Sequence, residues 1–316
     1  MRPDGWHLTE DLNGFLARAA DFLRSRPALH TVPLTVTEAL RTRGADAYGA
    51  EAPIFGSLER AGEVRAAFFR TPPRRPYLTS LTPEEADTLA AHLARLGHRL
   101  PGVNADHDTA TAFADAWARH TGATPTLHER KRLYRLGTLT PPEPLPEGRS
   151  RVAGEQDREQ LMLWHREFIT AIGGTPAADN SSWADTRIAQ GRVTLWETPD
   201  GDPASMAGVT PMVAGQVRVA PVYTPAYLRG HGYAGAATVE VSRAALAAGT
   251  AEVLLFADLA NPTSNGLYQR IGYRPVTDFS VYDFSCAGPE IRPPGIAPRA
   301  VGVDDFALRR GHVHGT

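Results

Sequence analysis

The residues from Val217 to Ala234, VRVAPVYTPAYLRGHGYA, bring together the types needed to hold a phosphate. An apolar strand pattern, Gln216 to Tyr223, is interrupted by Pro221. Proline has no N–H for a ladder, so it marks an edge, a bulge or a place where neighbouring strands part. A loop, Thr224 to Leu228, then leads into Arg229-Gly230-His231-Gly232-Tyr233-Ala234 at the start of an Ala-rich helix. Glycines let backbone N–H groups converge, and a helix start adds roughly half a positive charge. Together these suit phosphate or diphosphate. Two better-known phosphate loops do not fit. The chain has no Gly-Lys-Ser/Thr triplet, and its glycines lack the spacing and the preceding βαβ strand of the dinucleotide fingerprint.

The elements that must position this loop are readable on either side. Gln156 to Ala171 places Leu161, Trp164, Phe168 and Ala171 at helical spacing and stops at Gly173-Gly174. Val193 to Glu197 reads as a short strand ended by the turn Pro199 to Asp202. Ser205 to Met212 and Gln216 to Tyr223 read as an antiparallel hairpin around Ala214-Gly215. A helix from Tyr233 to Ala248 closes at Gly249, and Glu252 to Ala257 is an apolar strand buried on both faces. Asn261-Pro262 turns the chain into a short helix, Ser264 to Ile271, and Tyr273 to Phe284 is the last strand. This order predicts an α/β (α+β) fold on a mixed, mostly antiparallel sheet.

The Arg229, Gly232 and Ala234 positions resemble the Arg/Gln-x-x-Gly-x-Gly/Ala loop of the GNAT superfamily, the acyl-CoA-dependent N-acyltransferases. VYTP (Val222 to Pro225) looks like that family's diverging strand, and NPTSNGLYQRIGYRPV (Asn261 to Val276) like its C-terminal motif. The likeness covers about 151–284. It implies that acetyl-CoA, or another acyl-CoA, lies along Val222, Tyr223 and Thr224, with its diphosphate on the amides of Arg229, Gly230, His231, Gly232, Tyr233 and Ala234. Asn261, Ser264, Asn265 and Tyr268 would complete the donor site. An amine acceptor would attack directly in a ternary complex, and Tyr268 would protonate the leaving thiolate. The base is open: the strand from Met206 to Met212 has no carboxylate, which leaves Glu197, Glu167 or a water relay. Trp164, Phe168, Trp196 and Asp258 are candidates to face the acceptor, with core packing for the aromatics and a turn cap for Asp258 as the competing roles. Two other activities stay open. One is a non-catalytic acyl-CoA sensor; the other takes the acyl group from a carrier protein.

The first half echoes the second. Glu63 to Arg70 is a strand pattern, Pro83 to Leu96 a helix after Thr82, His98 to Val103 a strand, Asn104 to Thr121 a helix and Leu133 to Leu136 a strand. Its candidate phosphate loop, Thr71 to Pro76, has three prolines and no glycine, and Phe113 and Trp117 stand on the helix that matches that of Tyr268. These features predict tandem GNAT-like domains, a degenerate one over 1–140 and a catalytic one over 151–285. A Pro-rich linker, 141–150, joins them, and 286–316 is a Pro/Gly-rich tail.

Composition bounds the partners. The chain has 316 residues, 42% of them apolar and 22% charged, with a net charge of −2, which gives no electrostatic case for nucleic acid. The single cysteine, Cys286, excludes an internal disulfide framework and reads as an incidental thiol. His312 and His314 lack the companions of a metal site, so no metal is expected. Neither a signal-like start nor a bilayer-length apolar run is present, so the expectation is a cytoplasmic protein off the membrane.

Overall fold

A computed structural model describes residues 4–285. Cys286, His312, His314 and the rest of the anticipated tail lie outside the described residues. The first half runs β1 (Gly5–Thr9), α1 (Leu12–Arg24), α2 (Thr31–Arg43), β2 (Ile54–Arg60), β3 (Glu63–Arg70), β4 (Tyr77–Leu78), α3 (Pro83–Arg95), β5 (Gly102–Asp106), α4 (His107–Thr121) and β6 (Thr124–Leu136). The second runs β7 (Arg149–Val152), a 3-10 turn (Glu155–Asp157), α5 (Arg158–Ala171), α6 (Ser181–Ala189), β8 (Val193–Glu197), β9 (Pro203–Val209) and β10 (Gln216–Tyr223). It continues through a second 3-10 turn (Ala226–Leu228), α7 (Tyr233–Ala247), β11 (Glu252–Asp258), α8 (Pro262–Arg270) and β12 (Tyr273–Ser285). Strand, two helices, three strands, helix, strand, helix, strand occurs twice. Among the described residues no helix is long and apolar enough to cross a membrane.

Two compact units result. The first holds the described residues up to Lys131 together with 277–285, and the second spans Arg132 to Val276. This corrects the expected 151–285 boundary at its C-terminal end. Phe279 to Asp283 of β12 pair antiparallel with Asp106 to Gly102 of β5, so backbone hydrogen bonding carries these residues into the first unit. The last residues of β6, in turn, lie beside β11 in the second.

In the first unit β1, β2, β3, β4 and β5 lie side by side in chain order, and α3 and α4 bury Leu89, Leu93, Phe113 and Trp117 in the core. The expected loop equivalence is corrected here. Because β4 follows Thr71–Pro76, the loop that enters α3 is Thr79–Thr82. The elements β1 to β2 were not anticipated. In α2 every residue from Thr31 to Thr37 is buried, so the helix has no apolar stripe for a period-based reading to find.

The second unit repeats the order, β7-β8-β9-β10-β11 and then β6. Helix α7 buries Ala236, Ala237, Val239 and Val241 in one apolar cluster with Val217, Val219, Val253, Leu255 and Tyr268. Its small residues let the helix sit close to the sheet and hold its first turn at the end of β10. A second cluster, Leu161, Trp164, Trp183, Leu195 and Met206, packs α5 and α6 on β8 and β9.

Candidate active site

Strands β10 and β11 pair in parallel only at Gln216–Arg218 with Glu252–Leu254. Beyond that point β10 runs on to Tyr223 and β11 to Asp258 with no further pairing between them, which opens a slot. Pro221 lies at a break in the pairing of β10 with its other neighbour, β9. The β9–β10 register shifts between Val219 and Val222, and regular pairing resumes at Val222–Ala207 and Tyr223–Met206. Gly208 makes the bulge possible, because a Cβ there would lie 3.0 Å from the Ala220 carbonyl oxygen and 3.2 Å from Pro221 Cδ. The strand end is pinned by side chains. Ser205 Oγ donates to the Tyr223 carbonyl (3.0 Å) and lies 2.8 Å from Thr224 Oγ1, while Arg229 Nε donates to the Thr224 carbonyl (3.0 Å).

At the mouth of the slot the chain turns through Ala226–Leu228 and reaches Gly230 (φ +85°) and Gly232 (φ +83°), left-handed values that glycine adopts without a Cβ clash. The amides of Gly230, His231, Gly232, Tyr233, Ala234 and Gly235 donate to no group among the described residues; the first closed one is Ala236 N to Gly232 O, 3.1 Å. No acidic side chain stands in the first turn of α7. Six open N–H groups and an uncancelled helix dipole are the chemistry that suits an anion. The His231 ring stacks on Tyr233, centroids 5.6 Å apart.

The C-terminal motif forms the opposite bank. Asn261 caps α8, with Oδ1 accepting from Ser264 N (3.0 Å), and Pro262 opens the helix. Asn265 Nδ2 donates to the carbonyls of Asp258 and Asn261, both at 2.7 Å, and its Oδ1 accepts from the Tyr134 hydroxyl at 2.7 Å. Gln269 Nε2 in turn donates to Tyr134 Oη at 3.2 Å. The Asn261 and Asn265 side chains thus anchor the helix. Tyr134, on β6, is a site residue that the sequence reading did not single out. Asp258 is the turn cap, its Oδ1 accepting from Ala260 N at 2.8 Å.

These anchors hold Tyr268. Its ring lies between Tyr134 (centroids 6.5 Å) and Tyr273 (6.1 Å, edge-on), and Tyr273 Oη is fixed by Ser242 Oγ at 2.7 Å. The Tyr268 side chain is buried, its hydroxyl bonds to no group among the described residues, and burial pushes the phenol up to about 12. It is a protonated donor at any physiological pH.

The two carboxylate candidates separate. Glu197 is buried on β8, where it accepts from Arg149 Nε (3.0 Å) and from Arg151; Arg151 also grips Asp157 through two bonds of 2.5 and 2.7 Å. The Arg151 hydrogen bond holds the Glu197 carboxyl below its usual range. A carboxylate so stabilised is a poor proton acceptor, which corrects Glu197 to a pin between β7 and β8. Glu167 instead accepts from the Tyr223 hydroxyl (2.8 Å) at the end of β10, and burial first, this bond second, pushes that phenol up to about 12.

The aromatic candidates also divide. Trp164 and Trp196 are core residues, which corrects them as acceptor contacts; Trp164 packs against Tyr223 (6.2 Å) and Trp196 Nε1 donates to the Glu147 carbonyl (3.2 Å). Phe168 is half-buried on α5 and keeps an exposed edge.

No family model and no curated protein matches the chain. Solved structures do. A GCN5-related N-acetyltransferase from Sphaerobacter thermophilus aligns over 95% of this chain and 100% of its own, with a TM-score of 0.59 and 18% identity. A GNAT-family acetyltransferase from Colwellia psychrerythraea aligns over 89% and 99%, with a TM-score of 0.57 and 11% identity. A tandem GNAT protein from the clavulanic acid biosynthesis pathway aligns over 90% and 99%, with a TM-score of 0.55 and 15% identity. The chain therefore has the fold of the GCN5-related N-acetyltransferases in its tandem form.

Proposed function

We propose that the second unit catalyses transfer of an acetyl or other small acyl group from acyl-CoA to an amine. The observation that carries this reading is the row of open amides, Gly230 to Gly235, at the mouth of a slot beside an unpartnered buried phenol. Acyl-CoA has the matching parts: a diphosphate for the amides and an extended pantetheine for the slot.

The residues then divide the work. The amides hold the diphosphate, and the end of β10 with the residue after it, Val222 to Thr224, lines the pantetheine. The acceptor nitrogen attacks the thioester carbonyl directly; an N–C bond forms as the C–S bond breaks, and no enzyme side chain is acylated. The Tyr268 hydroxyl gives its proton to the leaving sulfur. Burial disfavours phenolate and thiolate alike, so the raised affinity of the phenol for its proton is matched by that of the sulfur in the same slot. The proton lost by the amine passes to Glu167 or to water. Phe168 stands on the same helix as Glu167 and offers its exposed edge to the acceptor.

Isothermal titration of the whole chain with acetyl-CoA, followed by thiol-release assays over a panel of amines, tests this. Binding with turnover on at least one amine is expected. Tight binding with no turnover on any amine would replace the enzyme by a sensor. Turnover only with a carrier-bound donor would move the acyl source to the carrier protein.

A further inference from the structure

The segment 141–150 reads as a linker; its last two residues open β7, and the rest runs beside the candidate donor site. Strand β6 lies beside β11, whereas β7 ends the strand order beyond β8, so the chain between Gly137 and Gly148 must cross the whole sheet of the second unit. It crosses on the face that carries α7 and α8. Gly137 N donates to the Gly272 carbonyl and Thr140 N to the Ile271 carbonyl, both at 3.0 Å, so the segment starts at the end of α8. It finishes at β8, where the Glu147 carbonyl takes the Trp196 indole N–H.

Between these anchors it follows the first turn of α7. A Cβ at Gly235 would meet Pro142 Cγ at 4.0 Å and Leu267 Cδ1 at 2.9 Å; one at Gly232 would meet three atoms of the Pro146 ring at 3.8–3.9 Å. Pro146 therefore lies beside the left-handed cap and Pro142 beside the next turn, against two of the residues that carry the open amides. Proline suits the place. It has no N–H to compete for phosphate oxygens, its φ is fixed, and its ring is an apolar surface. Amide–phosphate attraction strengthens where water is excluded.

We propose that Pro141–Glu147 is a wall of the donor site, and that Pro142 and Pro146 make the chain select a donor carrying the nucleotide diphosphate over a bare pantetheine thioester. This rests on the acyl-CoA reading. The experiment compares dissociation constants of the full chain for CoA and for S-acetylpantetheine, in the parent protein, in P142G/P146G and in the single variant Pro146→Leu, which crowds Gly232 without loosening the segment. Expected is about tenfold weaker CoA binding in both variants, equivalent to about 1.4 kcal/mol, with S-acetylpantetheine binding unchanged. Equal or tighter CoA binding, or equal weakening of both ligands, overturns the proposal; where the double variant does not fold, Pro146→Leu decides alone. A parent protein that does not bind CoA would sink the acyl-CoA reading itself. A parent that binds CoA and is indifferent to both variants sinks only the wall.

Discussion

The first turns of α3 and α7 occupy corresponding places in the two units and have opposite chemistry. At α7 six consecutive amides are open and two glycines sit at positive φ. At α3 most of the amides are closed within the chain. Thr79 N donates to the Ala67 carbonyl (2.9 Å) and Leu81 N to Thr109 Oγ1 (2.8 Å). Thr82 and Glu85 form a reciprocal capping box, with Thr82 N on Glu85 Oε2 (3.0 Å) and Glu85 N on Thr82 Oγ1 (3.2 Å). Pro83 contributes no N–H, and Glu84 and Glu85 place carboxylates where a phosphate would go. The strand ends differ as well. Tyr77, where β4 and β5 pair, is buried in a stack with Phe69 (5.8 Å) and Phe279 (6.0 Å). A shared fold thus leaves two sites that differ in whether backbone donors remain unspent.

The sharpest way to break this contrast is Gly232→Trp. The φ of +83° and the adjacent Pro146 ring leave no unstrained place for an indole, so acetyl-CoA binding should fall by more than about a hundredfold, an upward shift of at least about 2.7 kcal/mol in binding free energy. Retained affinity in titration would show that the diphosphate lies elsewhere. Next in size is Tyr268→Phe, which removes one proton and little volume. Turnover should drop about a hundredfold with donor affinity unchanged, within the usual range for a general acid. The pH profile adds a second reading of the same residue. Because burial raises the phenol to about 12, parent turnover should hold through pH 10, where an unshifted phenol would already be half ionised. A basic limb centred near 10 would remove Tyr268 from the role.

The legible parts of the molecule were those where a residue type is itself the geometry. Pro221 and Gly232 state a bulge and a left-handed cap through what they lack, an N–H and a Cβ. Asn261-Pro262 likewise states a helix start. Other parts depend on partners distant in the chain. Glu197 looks like a free carboxylate until Arg149 and Arg151, nearly fifty residues earlier on β7, arrive beside it. The anchoring role of Asn265 shows only when Tyr134 supplies its donor from β6. The aromatic set on α5 and β8 could not be divided by spacing, since helical period places Trp164 and Phe168 on one face whether that face meets a sheet or a substrate. That 277–285 of β12 pair within the first unit leaves no local trace, because a strand reads the same whichever neighbour it joins.

Glu197 gives a prediction of intermediate size on the stability side. Its folded-state carboxyl is held below the usual range, so its contribution is present above the ordinary glutamate pKa and is lost as pH falls through the lower folded value. Glu197→Gln should cost about 2 kcal/mol at pH 7, as hydrogen bonds to charged partners do, and acidification toward pH 3 should erase the difference from the parent. Denaturant melts at the two pH values measure it. An equal difference at both would mean that packing, not charge, is what the side chain supplies. Acyl-CoA affinity should hold, since the pair lies on the β7–β8 edge.

The smallest effect tests the α3 side of the comparison. In Thr82→Ala the capping hydroxyl disappears, Glu85 N loses its acceptor and the box opens, at a cost of about 1 kcal/mol. If α3 is only a structural helix start, that loss should appear in chemical denaturation and nowhere else. Donor stoichiometry should stay at one per chain, turnover at the parent level. Opening the box does not create a second α7: Pro83 still lacks an N–H, Glu84 and Glu85 still oppose an anion, and Tyr77 still sits between Phe69 and Phe279. A second equivalent of acetyl-CoA in Thr82→Ala would mean that the capping box alone had kept the first unit closed, and the two helix starts would then differ by a switch and not by construction.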